Sequence, residues 1–97
     1  MAAYWIARAK INDPTEYKKY ADRIPEILAK YDAKVLARGG EYKTLEGPEM
    51  FERYIVIEFP SMAAAEACFN SAEYQEAAVF RRTNQAGRNE LTVVAGV

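Results

Sequence analysis

The order in which apolar periodicity changes along this chain is its most restrictive feature. Tyr4 to Ile11 is aromatic and aliphatic, contains no Gly or Pro, and reads as a first strand. Asn12-Asp13-Pro14 stops it. Asp13 suits an N-cap, Pro14 the first helical position and Glu16 the third residue of a capping box. Tyr17, Tyr20, Ala21, Ile24, Ile27, Leu28 and Tyr31 then recur at helical spacing. This predicts a helix from about Pro14 to Tyr31, kinked or restarted at Pro25, which lacks a backbone donor.

The second half repeats the alternation of periods. Ala33 to Arg38 reads as a second strand, and Gly39-Gly40 predicts a bulge, a bend or a close backbone approach. Pairing is expected to resume from Glu41 to Leu45, before a turn at Gly47-Pro48. Arg53 to Phe59 is the clearest strand of all. Pro60-Ser61 ends it, and Ser61 caps a helix from Met62 to Phe69. Ser71 caps a further helical segment, on which Tyr74, Ala77, Ala78 and Arg81 share one face. A last strand spans about Asn89 to Val94. Residues 1–97 therefore read as one domain of order β-α-β-β-α-β. Right-handed crossovers turn that order into a ferredoxin-like α+β fold: one antiparallel four-stranded sheet with both helices on one face.

Such a fold leaves the second face of its sheet uncovered. Alternation assigns Trp5, Ala7, Ala9, Ile11, Ile55, Ile57 and Phe59 to the helix side. Tyr4, Ile6, Arg8, Lys10, Lys34, Leu36, Arg38, Tyr54, Val56 and Glu58 fall on the other, and the last strand fits either way. That face is too apolar to be wholly wet and too charged to be a dry core. Pairing two such faces gives a dimeric α/β barrel around a small cavity, so a homodimer through the open sheet face is the expected partner. A hydrophobic fraction of 51% is more than so thin a core needs, which agrees.

Composition removes several kinds of chemistry. The chain has no histidine, which excludes histidine-based zinc sites, haem ligation by histidine and histidine-activated nucleophiles. One cysteine, Cys68, builds neither an internal disulfide nor a thiolate cluster, and reads as a buried inert thiol. No metal or cofactor is therefore expected. Thirteen basic residues against 14 acidic ones, a net charge of −1, select neither nucleic acid nor a membrane surface. RNA-recognition motifs share the strand order, but the basic-Gly-aromatic-Gly-aromatic pattern is missing. No secretory signal and no membrane-length apolar run is visible, which points to a cytoplasmic protein.

Asp13-Pro14 with Tyr17 and Tyr20, Ala37-Arg38-Gly39-Gly40, Glu52-Arg53, Ile57-Glu58-Phe59-Pro60-Ser61, Ser71-Ala72-Glu73-Tyr74-Gln75 and Arg81 occur together in this order. The combination resembles the bacterial domain-of-unknown-function family 1330, of the dimeric α+β barrel superfamily. The resemblance implies the fold and the dimer, and imports no reaction. Superfamily members include cofactor-free monooxygenases and decarboxylation or isomerisation enzymes, several of which use a histidine absent here.

Arg8, Arg38 and Glu58 are the leading site candidates: paired donors to fix a carboxylate or enolate, and a carboxylate to accept a proton. A structural ion-pair set lining the barrel explains the same residues. Tyr54 on that face and Tyr74 at a helix start are further ligand candidates. Tyr17, Tyr20 and Tyr31 read as core that can also line a cavity, and Gly39-Gly40 as a bulge rather than an anion nest. Arg81-Arg82 reads as a solvated helix end rather than a phosphate site. Two functions stay open: a cofactor-free protein that binds or transforms a small anionic or aromatic molecule, and a non-catalytic dimeric accessory module.

Overall fold

The computed structural model describes residues 1–97. β1 (Ala3–Ile11) leads through Asp13 into α1 (Pro14–Ala29), then β2 (Lys34–Arg38) and β3 (Arg53–Phe59). α2 (Met62–Asn70), α3 (Ala72–Arg82), a short 3-10 turn (Thr83–Gln85) and β4 (Gly87–Ala95) complete the chain. The strands form one antiparallel sheet in the order β2-β3-β1-β4. This is the ferredoxin-like α+β fold that the order of elements predicts.

The caps act as the sequence indicates. The Asp13 carboxylate accepts from the Glu16 amide at 3.2 Å, Ser61 Oγ from Ala64 N at 3.1 Å and Ser71 Oγ from Tyr74 N at 3.1 Å. Each satisfies a donor that the first helical turn leaves free. α1 runs through Pro25 without a restart and ends two residues before Tyr31, because Asp32 takes a left-handed conformation (φ 54°).

One predicted strand segment is absent. Gly39 still donates its amide to Tyr54 O at 3.0 Å, but its φ of 67° then turns the chain away, and residues 40–52 carry no strand. The segment Glu41–Leu45 is loop. It returns over the open face, where Tyr42 lies 4.9 Å from Tyr54 and buried Phe51 sits beneath the Arg8 guanidinium at 4.3 Å.

The core lies between the sheet and the helices. Ala3, Trp5, Ala7 and Ala9 of β1 are buried, as are Ile57 and Phe59 of β3. Trp5 stacks on Phe59 at 5.6 Å and meets the edge of Tyr74 at 5.4 Å. Pairing settles the orientation of β4: Leu91 opposes Ala7 and Val93 opposes Trp5 on the helix side, while Thr92 and Val94 face outward opposite Ile6 and Tyr4. Cys68 is buried on α2, and burial, assisted by Glu73, pushes its thiol up to about 11, so it stays protonated and unreactive at neutral pH. With one sheet and one helix layer the domain is 17 Å thick, and Ile6 and Val94 remain about half exposed on the uncovered face (47% and 48%). No helix is long and apolar enough to cross a membrane.

Candidate functional site

A single irregularity in β2 divides the expected site. Lys34 opposes Glu58 and Val35 opposes Ile57, but Ala37 opposes Val56, so Leu36 is an unpaired bulge residue. One extra residue reverses the facing of everything beyond it. Arg38 therefore opposes Ile55 on the helix side, not the open face where unbroken alternation puts it. The bulge precedes the glycines instead of falling on them.

Of the open-face candidates, Arg8 and Tyr54 are cross-strand neighbours that line two shared clefts, and Glu58 stands apart from them. Arg8 pairs with Glu90 across β1 and β4, through Nη2 at 2.9 Å and Nε at 3.2 Å to the same carboxylate oxygen. Glu58 opposes Tyr4, and Arg8 opposes Tyr54, so Glu58 and Arg8 lie two rows apart. At ~3.3 Å per residue that is roughly 13 Å. The Glu58 carboxylate raises the Tyr4 phenol pKa, by hydrogen bonding first and charge second. Tyr54 stands with Tyr42 against the returning loop. Within one protomer Arg8, Arg38 and Glu58 thus lie in separate surroundings.

A different constellation forms between α1 and the sheet. A narrow slot of about 40 Å³ is walled by Trp5, Ile55 and Ile57 below and Ala21, Ile24 and Leu28 above. Val35 and Arg38 of the exposed β2 strand stand at its edge. Its polar end is the row Arg53–Ala9–Asn89, in which both outer residues oppose Ala9. Tyr17 reaches this row, with its hydroxyl 3.4 Å from Asn89 Oδ1. Tyr20 and Tyr74 line the inner end with their hydroxyls 2.9 Å apart. Arg81 Nη2 donates to Tyr74 at 3.2 Å, and the guanidinium lies 5.1 Å from the Tyr20 ring centre.

This end of the slot is rich in positive charge and holds no carboxylate. Arg53 Nε is buried with no acceptor, and neither Arg38 nor Arg53 belongs to any of the domain's ion pairs. A buried guanidinium N–H without an acceptor costs free energy that a bound anion removes. Burial holds the Tyr17 phenol above the usual range, opposed by the Asn89 hydrogen bond and by Arg53 and Arg81. Burial, then Tyr74, pushes Tyr20 well above it. Both tyrosines are therefore neutral donors near neutral pH. The slot supplies donors to an anion, and no carboxylate to act as a base. No three His, Cys, Asp or Glu side chains come together as a metal site.

Gly39 is what lets Arg53 lie there. A Cβ at residue 39 would come within 2.4 Å of Arg53 Nη1, and the backbone is left-handed besides. Gly39→Ala is expected to cost about 1–2 kcal/mol from the backbone alone and to displace the Arg53 side chain. Chemical denaturation of the variant, with an NMR comparison of the arginine Nε–H signals, checks both parts.

Of the sequence candidates, Arg38 and Tyr74 line the slot, while Arg8, Tyr54 and Glu58 do not. Tyr17 and Tyr20 are at once buried core and slot wall. Arg81, expected in solvent, is only 6% exposed. Arg53 and Asn89 were legible in one respect: each has the same strand parity as its inward neighbours, Ile55 and Ile57, or Leu91 and Val93. A polar residue on an inward parity is the signal that finds both.

The family model described as domain of unknown function (DUF1330) matches residues 2–97. No curated protein matches the sequence. Among solved structures, a protein of unknown function from Rhodopseudomonas palustris is similar at a TM-score of 0.75 and 20% identity, covering 99% of this chain and 82% of that one. A protein from Jannaschia, described as a dimeric ferredoxin-like protein of unknown function, is similar at 0.67 and 10% identity, with 95% and 98% covered. SnoaB, a cofactor-independent oxygenase from Streptomyces nogalater, is similar at 0.65 and 12% identity, with 99% and 93% covered. At these identities the likeness is one of fold.

Proposed function

The chain belongs to the DUF1330 family of unknown function, and on that premise we propose that it binds a small organic anion in the slot between α1 and the sheet. The ligand has an acidic head, such as a carboxylate, phenolate or enolate, and a flat or short apolar body; at about 40 Å³ the slot as folded holds little more than the head, so a ring enters by spreading α1 from the sheet. The body lies among Ile24, Val35 and Ile55, and the head meets Arg53, with Arg38 at the mouth. The observation that carries this reading is the buried Arg53 Nε without an acceptor, in a slot with no carboxylate. Guanidinium groups recognise planar anions by paired donors. The oxygenase with a similar fold, described as cofactor-independent, supports small-molecule chemistry on this scaffold without a bound group.

The working unit under this reading is a homodimer joined through the open face. Ile6, Val56 and Val94 supply apolar area there, and the Arg8–Glu90 pair lies beside them. The similar protein from Jannaschia is described as dimeric. Each protomer then carries its slot on the helix side, outside the barrel.

Trp5 is the chain's only tryptophan and lines the slot, so its emission reports occupancy. Titration with benzoate is expected to give a saturable change. Arg53→Gln is expected to weaken it about tenfold or more, the loss of one charge-assisted hydrogen bond. No change in the wild type across a panel of aromatic and aliphatic acids, or equal affinity in Arg53→Gln, defeats the reading and leaves the accessory-module alternative.

A further inference from the structure

Sharing Asn89 with the slot, a second cleft of about 520 Å³, lined by polar residues and Gly87, lies between the end of α3 and the facing ends of β1 and β4. Arg81 and Arg82 contribute from α3, Lys10 from the end of β1 and Asn12 just past it, Gln85 from the 3-10 turn and Arg88 from the start of β4. Four cations line it and no carboxylate does. Lys10 and Arg88 oppose each other on the open-face parity and Arg81 and Arg82 stand on α3, so the four cations ring the end of the sheet, and like charges brought together repel.

Arg81 is the decisive residue. It is 94% buried by its 6% exposure, its Nε has no acceptor, and it enters no ion pair. Its partners are neutral: it donates to the Tyr74 hydroxyl and lies over the Tyr20 ring. Charged side chains are rarely buried unless paired, so an anion is the missing partner. Of the other cations, Arg82 is held by Gln75 Oε1 at 2.7 Å, and Lys10 and Arg88 are free to turn. Lys10 reaches Glu52 only at 3.7 Å and Arg88 reaches Glu90 only at 3.6 Å, both in exposed pairs of little energetic weight. The floor is fixed: Asn12 and Asp13 donate their amides to Ala86 O at 2.8 and 2.9 Å, and Asn12 Nδ2 donates to Gln85 O at 2.9 Å.

We propose that this cleft is a second anion site, separate from the apolar slot, and that it takes a phosphoryl group. An open basin with several cations and no lining carboxylate suits a compact, hydrated, doubly charged oxyanion; a carboxylate with an apolar body belongs in the slot. The group can arrive as inorganic phosphate or as the phosphate of a small ester.

Calorimetric titration with inorganic phosphate at low ionic strength tests it. The expected result is one saturable site per protomer, weakened at least about tenfold in Lys10→Gln/Arg88→Gln and unchanged in Arg53→Gln. Both altered cleft residues are exposed, so folding is retained; Arg81→Met is the second variant, read by the same titration after its fold is checked by circular dichroism. A phosphate monoester that binds with the same dependence on Lys10 and Arg88 shows that the site reads the phosphoryl group, whatever carries it. Absence of saturable phosphate binding overturns the proposal. So does binding indifferent to Lys10→Gln/Arg88→Gln, or acetate binding as tightly as phosphate. Loss in Arg53→Gln alone assigns the anion to the slot and overturns it as well.

Discussion

Tyr74→Ala is expected to cost about 3–5 kcal/mol, the range for removing a buried aromatic ring. That is a large part of the roughly 5–15 kcal/mol that holds a domain folded. Tyr74 is 1% exposed and lies where the helices and sheet meet. Its ring contacts Trp5 at 5.4 Å, Phe69 at 5.3 Å and Tyr20 at 6.1 Å, so its loss opens a cavity bordered by three rigid rings. Tyr74→Phe separates the hydroxyl from the ring. It keeps the packing but deprives Tyr20 and Arg81 of a partner, which is expected to cost about 1–3 kcal/mol. Urea unfolding followed by Trp5 emission measures both. With a slope of about 1.5 kcal/mol per molar urea, the alanine midpoint falls by about 2 M or more. Equal losses in the two variants would mean that the hydroxyl network, not the ring, does the work.

The second large effect concerns the open face. Ile6 is 47% exposed and opposes Val56 and Thr92 in the central rows of the sheet. In a symmetric face-to-face dimer each substitution acts twice. Ile6→Glu is expected to cost about 2 kcal/mol per copy, as at a central interface residue. Doubled, that raises the dimer dissociation constant about a thousandfold. Sedimentation velocity is expected to show a dimer for the wild type and a monomer for Ile6→Glu, with unchanged circular dichroism. A wild type that is already monomeric, or an Ile6→Glu dimer, contradicts an interface on this face. The slot lies on the opposite side of the sheet, so Ile6→Glu monomers are expected to retain benzoate binding.

The fold was legible because its punctuation is local. Asp13, Ser61 and Ser71 satisfy donors within three residues of themselves, and the alternation of Arg53 to Phe59 needs no knowledge of its partners. The candidate site was legible only in part, because its geometry depends on pairing. The bulge at Leu36 has no local mark: a leucine in an apolar strand reads as one more alternating residue. It moved Arg38 from one face to the other, away from Arg8 and Glu58. The segment Glu41–Leu45 failed for a related reason. Its pattern permits a strand, but the left-handed Gly39 turns the chain off the sheet. Arg81 shows the opposite case. Its helical face, shared with Tyr74, Ala77 and Ala78, already pointed inward, and charge alone argued for solvent.

Both readings of the helix side rest on buried guanidinium Nε atoms that the folded chain leaves without acceptors, Arg53 in the slot and Arg81 beside it. The most direct test of the central claim is a crystal structure of the protein grown with benzoate. The account predicts the carboxylate about 3 Å from Arg53 Nε, with the ring between Ile24 and Ile55. Benzoate seated on the open face among Arg8, Tyr54 and Glu58, or an empty slot in which Arg53 has found an acceptor within its own chain, would contradict it.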